Sequence, residues 1–250
     1  MTDADLPAAR DAVIDRYSGL ARTALAGGTI ADCDPDAFTD GCFGATAYPD
    51  ADVPEAALRA SLGCGNPLAV ASLRPGQIVL DLGSGGGLDV VLSARKVAPG
   101  GTAYGLDASA DMLALARAHA AQAGVANARF LHGHIEDIPL PGHSVDVVIS
   151  NCVINLSADK PRVLAEAFRV LRPGGHLGIS DVTADDGTDP GQLAQAEQRA
   201  GCGHTLTQAQ YRDLLLAAGF TAITITRTHQ AGAGLHSAII QAARPAARHA

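Results

Sequence analysis

Five cysteines offer most of the nucleophilic chemistry in this chain: Cys33, Cys42, Cys64, Cys152 and Cys202. None forms a CxxC pair, so the usual zinc spacings are absent. Cys152 stands in "NCVINLS", directly after the apolar run "SVDVVIS", which reads as a strand. Its thiol therefore falls just past a strand's carboxyl end, the edge where open α/β sheets place ligands. The ordinary alternative is an inert thiol, because free cysteine behaves as a small hydrophobe and is usually buried. A second constellation is "VLDLGSGGGLD", which puts Gly83, Gly85, Gly86 and Gly87 between a strand and a helix. Glycine there lets the backbone turn sharply and approach a ligand closely, beside a helix N-terminus that favours polar or anionic groups. Asp81 lies inside the strand, where a carboxylate can accept from an ammonium group. Asp107 ends the next strand, "AYGLD", about where a carboxylate takes two ribose hydroxyls.

These residues need a frame, and the hydrophobic pattern supplies one. Between residues 66 and 180 strands and helices alternate. "QIVLDLG", "GTAYGLD", "ARFLHGH", "SVDVVISN" and "HLGISDV" read as strands, the fourth almost continuously apolar, as a strand covered on both faces should be. "GLDVVLSARKVA", "SADMLALARAHAAQAG" and "DKPRVLAEAFRVL" read as helices, with Ser109 as N-cap of the second. Such alternation predicts a parallel sheet with right-handed crossovers. Residues 5 to 26 read as an amphipathic helix, and residues 27 to 52 as a Gly/Asp-rich loop or lid. Near the end "TLTQAQYRDLLLAAGF" reads as a helix, "TAITITRTH" and "GLHSAIIQAA" as paired edge strands, and "RPAARHA" as a loose tail. The expected fold is α/β, a seven-stranded, mostly parallel, Rossmann-like sheet with helices on both faces.

Composition bounds the function. The 250 residues are 47% hydrophobic and 18% charged, which suits one α/β domain with appendages. A formal net charge of -8 argues against a nucleic-acid footprint. The absence of a long apolar span argues against a transmembrane helix, and the acidic start "MTDADLPAARDAVIDRYSG" lacks an apolar signal core. The expectation is a cytoplasmic protein with reduced thiols, with no membrane and no nucleic-acid partner.

The loop "DLGSGGG", the acid of "GLD" and the "LRPGG" turn before a strand resemble class I S-adenosylmethionine-dependent methyltransferases over residues 66 to 180. The resemblance implies that Asp81, Gly83 and Gly85 hold the methionine moiety and Asp107 the ribose. It also implies that Met112 packs on the adenine, that Ile135 and Glu136 border its edge, and that Asn151 belongs to the same site. Three cysteine contexts narrow the family. "SLGCGNP", "ISNCVINLSADKP" and "AGCGHTL", with "GLHSAII" near the end, resemble arsenite methyltransferases from about residue 60 to 240. The third departs from the usual pattern, since Gly203 and His204 follow its cysteine in a shortened stretch.

The chemistry suits that resemblance. Trivalent arsenic is soft and thiophilic, so thiolates are its natural ligands. Held by sulfur, it keeps a lone pair that can attack a sulfonium methyl in line, and the protein contributes positioning and desolvation. No general base is needed, in keeping with the lack of an obvious catalytic His or Lys near the strand ends. Cys152 and Cys202 are the expected arsenic ligands, with Cys64 as a third ligand and the redox thiol, and with Cys33 or Cys42 as its disulfide partner. The implied partners are S-adenosylmethionine, arsenite or a thiol conjugate of arsenic(III), and a thiol reductant such as thioredoxin or glutathione. The chain divides into an N-terminal helix and lid (1–60), an S-adenosylmethionine-binding core (61–183) and an acceptor-side segment with closing strands (184–250).

Three rivals remain. A methyltransferase for an organic small molecule would want a base or an aromatic pocket, and the aromatic content of 4% offers few residues for one. A non-enzymatic heavy-metal binder would have no reason to keep the cofactor loop. A nicotinamide oxidoreductase would be expected to carry the third glycine that "GSGGGLD" lacks.

Overall fold

The structure, a computed structural model, describes residues 5–27, 65–69, 71–200, 204–232 and 234–247. Its seven strands are β1 (Ile78–Leu82), β2 (Thr102–Asp107), β3 (Ala128–His132), β4 (Val145–Asn151), β5 (Leu171–Ala184), β6 (Thr221–Gly232) and β7 (Leu235–Ala243). They form one sheet in the order β3-β2-β1-β4-β5-β7-β6. β1 lies near its centre because Val79, Leu80 and Leu82 are all fully buried, leaving neither face for water. It pairs in parallel with β2 and β4, and Asp81 stands opposite Gly105 and Ile149. The carboxyl ends of β1, β2, β4 and β5 therefore share one edge, as the strand–helix alternation predicts.

The helices are α1 (Asp5–Leu25), α2 (Leu88–Val97), α3 (Ala110–Gln122), α4 (Lys160–Val170), α5 (Pro190–Ala200) and α6 (Gln208–Ala217). On one face of the sheet α4 and α6 bury Val163, Leu164, Ala167, Tyr211 and Leu215 against Leu80, Leu82, Val148 and Ile179. On the other, Val97 of α2 joins Leu68 and Ala71 over Val79, Val147 and Ile149. Ser109 caps α3 as expected, its side chain accepting from Met112 N–H, and Asp159 and Thr207 cap α4 and α6 in the same way. Each such cap stabilises its helix by about 1 kcal/mol.

Three expectations need correction. The closing strands are not both edges: β7 lies between β5 and β6, antiparallel to each, and of the two only β6 is an edge. Burial explains the order, since Ala238, Ile240 and Ala242 of β7 are buried while most of β6 is exposed. Helix α5 was not read from the sequence. Its signal was "DP", for Asp189 Oδ1 accepts from Gly191 and Gln192 N–H and Pro190 opens the helix. The tail is anchored at Arg244, which donates to the carbonyls of Phe168 and Leu171 and lies 4.3 Å over the Phe168 ring.

Candidate active site

One pocket opens at the carboxyl edge, lined by Asp81, Gly83, Gly85, Asp107, Met112, Ile135, Glu136, Asn151 and Cys152 among others. Every candidate cofactor residue of the sequence reading is on its wall. The loop after β1 is fixed by the end of β2: Gly83 and Ser84 N–H donate to Leu106 O, and Gly85 N–H donates to Asp107 Oδ2 at 2.9 Å. The other oxygen of Asp107 accepts from Ser109 N–H at 2.8 Å. Asp107 thus braces the glycine loop and the start of α3 while keeping lone pairs on both oxygens. Gly83 has a φ of 68°, and a Cβ there would lie 2.5 Å from the side chain of Val153. Only glycine lets the cofactor loop touch the residue that follows Cys152.

The electrostatics favour a cation. Asp81 is 3% exposed, and among the described residues its carboxylate accepts no hydrogen bond. Burial first, then the neighbouring carboxylates of Asp89 and Asp107, push its pKa well above the ordinary range. Burial also raises Asp107, partly offset by the N–H groups of Ser109 and Gly85 and by His132. A ligand ammonium beside Asp81 would relieve that strain, because opposite charge favours the ionised carboxylate.

Several wall residues escaped the sequence reading. Arg10, Val13, Ile14 and Tyr17 place α1 over the pocket. Ser18 and Ser109 share a 2.7 Å hydrogen bond and Arg22 pairs with Asp111, so α1 is tied to the start of α3. The amphipathic pattern of α1 was a signal that its apolar face needed a partner, though not which one. Asp89, Leu156 and Ser157 also line the pocket. Ser157 donates to Glu136 Oε1 at 2.5 Å, orienting that acid.

On the opposite wall β4 ends at Asn151, whose Nδ2 donates to Gly65 O at 2.8 Å and to Asp89 Oδ2 at 3.2 Å. It thereby ties the residue after Cys64 to the first turn of α2. Cys152 has a φ of 58°, a left-handed conformation that a non-glycine residue adopts only when its surroundings hold it there. The hold is visible: its N–H donates to Ser180 O at 2.8 Å, and it packs against Val182, Ala184, Ala231 and Leu235. The sulfur of Cys152 is in a disulfide. It is the only cysteine among the described residues, so the other sulfur lies outside them. The sequence reading gave Cys152 a ligand's role and no disulfide, so that role requires a reduced Cys152. Cys33, Cys42, Cys64 and Cys202 lie outside the described residues. From Leu235 on, "GLHSAII" runs in β7, where His236 Nε2 meets Asp185 Oδ2 at 3.1 Å.

Residues 73–219 match the methyltransferase domain family. An arsenite methyltransferase of Halobacterium salinarum is 35% identical over 98% of this chain and 69% of its own length. The arsenite methyltransferase of Aquipseudomonas alcaligenes is 50% identical over 49% of this chain, which spans 37% of that relative. The crystal structure of an arsenic(III) S-adenosylmethionine methyltransferase from Chlamydomonas reinhardtii has a TM-score of 0.68 at 33% identity, covering 80% of this chain and 72% of that one. The fold and the pocket define a class I methyltransferase, whose cofactor is S-adenosylmethionine. Within that class the chain belongs to the arsenite methyltransferase family. The residues present fit the cofactor: an unpartnered buried carboxylate for its ammonium, a glycine loop open to its backbone, and Asp107 with free lone pairs for its ribose. No helix among the described residues is long and apolar enough to cross a membrane.

Proposed function

We propose that this chain transfers a methyl group from S-adenosylmethionine to trivalent arsenic held by its own thiols, with Cys152 as one ligand. The observation that carries this reading is the place of Cys152. It lines the same pocket as Asp81, Gly83 and Asp107, on a backbone turned into the left-handed region. Cys202 and Cys64 complete the ligand set in this reading, and Cys33 or Cys42 serves as redox partner to Cys64.

Bound there, S-adenosylmethionine would supply an electrophilic methyl that the arsenic lone pair could take, the carbon–sulfur electron pair staying on sulfur. Asp81 holds the ammonium group and Asp107 the ribose hydroxyls, while Met112, at 1% exposure, presents an apolar surface to the adenine. Helix α1 excludes water through Val13, Ile14 and Tyr17. Cys152 fixes arsenic facing the methyl, and no proton has to leave the arsenic. Arsenic emerges pentavalent, two electrons poorer. Two thiols restore it by closing a disulfide and releasing two protons, and an external thiol reductant such as thioredoxin or glutathione reopens it. Cys152, disulfide-bonded here, would have to pass through that reduction before it binds arsenic.

The test is incubation of the reduced protein with arsenite, S-adenosylmethionine and a thiol, followed by arsenic speciation. Methylated arsenic should form with wild type, while Cys152→Ser should lose roughly a hundredfold in rate or more, with S-adenosylmethionine affinity within twofold. Methylation of arsenite by the variant near the wild-type rate would make the Cys152 thiol structural, whereas no methylated arsenic from wild type would return the acceptor to an organic small molecule.

A further inference from the structure

Four acids line the pocket, Asp81, Asp89, Asp107 and Glu136, against one full cation, Arg10. S-adenosylmethionine carries an ammonium, a carboxylate and a sulfonium, so it brings a net positive charge to that wall. The molecule left after transfer, S-adenosylhomocysteine, keeps the ammonium and the carboxylate but has a neutral thioether, and its net charge is zero. Asp81 answers the ammonium and Asp107 the ribose, groups that both molecules share. That scheme leaves Asp89 unused, although its side chain belongs to the pocket and is only 7% exposed.

The placement of Asp89 is distinctive. It sits in the first turn of α2, directly after the glycine loop, where the free N–H groups of a helix favour negative charge. Its Oδ2 accepts from Asn151 Nδ2 at 3.2 Å, and Asn151 immediately precedes Cys152. Asn151 also donates to Gly65 O, so the amide that meets Asp89 is itself held. The charge of Asp89 is felt across the pocket: after burial, it is the largest influence raising the pKa of Asp81. The methyl has to face its acceptor. With arsenic at Cys152, the sulfonium stands on the Asn151–Cys152 side, to which Asp89 is hydrogen-bonded. Asp107 is engaged by Gly85 and Ser109 N–H, and Glu136 by Ser157.

We infer that Asp89 is a specificity-determining residue that reads the sulfonium charge, favouring S-adenosylmethionine over its demethylated product. The inference rests on the proposed acceptor only for the side of the pocket at which the methyl stands. On transfer the sulfur keeps the bonding electron pair and becomes neutral, and the positive charge passes to arsenic with the methyl. Asp89 then loses its attraction for the spent molecule, so product release and entry of fresh S-adenosylmethionine are favoured together.

Calorimetry with S-adenosylmethionine, S-adenosylhomocysteine and sinefungin isolates the charge, because sinefungin carries an ammonium-bearing carbon in place of the sulfonium. All three share the adenosine and the amino-acid end, so a substitution that merely disturbs the pocket weakens every one of them. Asp89→Asn keeps the shape and an oxygen for Asn151 Nδ2, and removes the charge. It should weaken S-adenosylmethionine and sinefungin about tenfold and leave S-adenosylhomocysteine within about twofold. Asp89→Glu, which retains the charge, should restore most of the preference. Asp81→Asn, at the ammonium common to all three, should weaken them alike. A uniform loss in Asp89→Asn, or no loss, would overturn the inference. So would a wild type that binds S-adenosylhomocysteine more tightly than sinefungin. Phenylarsenite, which condenses with two thiols and releases two waters, reads the acceptor side separately on protein reduced with a phosphine. If wild type fails to bind it, the acceptor reading falls, and the ligand ratios still decide the role of Asp89. Ratios that fail beside intact phenylarsenite binding remove this inference alone.

Discussion

The two halves of the pocket are built by different means. The cofactor half is mostly backbone and near neighbours in sequence: Asp81 stands near the tip of β1, Gly83 and Gly85 follow in the loop, and a single carboxylate, Asp107, braces that loop from the next strand. The Cys152 side is backed by groups far apart in sequence that stand behind the pocket lining. Asn155, Asp181, Leu206 and Tyr211 meet across β5, and the conformation of Cys152 depends on a hydrogen bond to Ser180. Backbone amides serve any ligand with the right charge, so the cofactor half suits a whole class of enzymes. The Cys152 side rests instead on buried polar groups, whose placement is costly and specific.

That contrast can be broken most severely where the halves touch. In Gly83→Ala the new methyl would sit 2.5 Å from Val153 on a backbone with a φ of 68°. Both halves must shift, and methyl transfer should fall about a hundredfold, since a displacement of about 1 Å at the reacting atoms is enough for that loss. Rate assays with calorimetry should find cofactor and phenylarsenite affinity both impaired. A variant impaired in only one would show that the halves are mechanically independent.

Stability separates them next. Asp181 has its pKa raised from 3.8 to about 6 in the folded protein. Its contribution to stability is therefore fully present below about pH 4 and is lost as pH rises through about 6. Asp181→Asn mimics the protonated form. Denaturant melts should find it more stable than wild type at pH 8 by up to about 3 kcal/mol, at about 1.4 kcal/mol per unit of pKa, with the gap closing toward pH 4. A gap independent of pH would show that the carboxyl is not what burial penalises. The smallest effect belongs to the cofactor half: Asp107→Ala removes the brace on the glycine loop and, in the proposed reading, the ribose partner, and should weaken S-adenosylmethionine by roughly tenfold, about 1.4 kcal/mol. Phenylarsenite binding should be unchanged by that substitution. If it weakens equally, Asp107 supports the whole pocket rather than one side.

The same contrast explains what could be read from sequence. The strand–helix alternation, the Ser109 cap and the cofactor wall were legible because each is written in a short window, as in "DLGSGGG" and "SADM". Helix α1 was legible as a helix, but its roof over the pocket rests on Ser18 meeting Ser109, 91 positions away. The Asp181 cluster carried a faint signal, an acid inside the apolar strand "HLGISDV", but nothing local names Tyr211 or Asn155 as its partners. β7 was placed at an edge because pairing order depends on which strand is apolar on both faces. A nine-residue span with Ser, His and Gln in it hides that property.

The insertion of β7 beside β5 also bears on how the protein is made. β5 is complete at Ala184, but the strand that covers its outer edge ends only at Ala243. At roughly 5–20 residues per second of translation, those intervening residues take about 3–12 s to emerge. During that interval the nascent chain carries a long strand with one row of amides and carbonyls unpaired, a template for association with other chains. Ribosome-associated chaperones should therefore engage this protein late in synthesis, after β5 has emerged and before β7 has. Chains arrested just short of Leu235 should be recovered as aggregates, whatever the soundness of the sheet already assembled behind them.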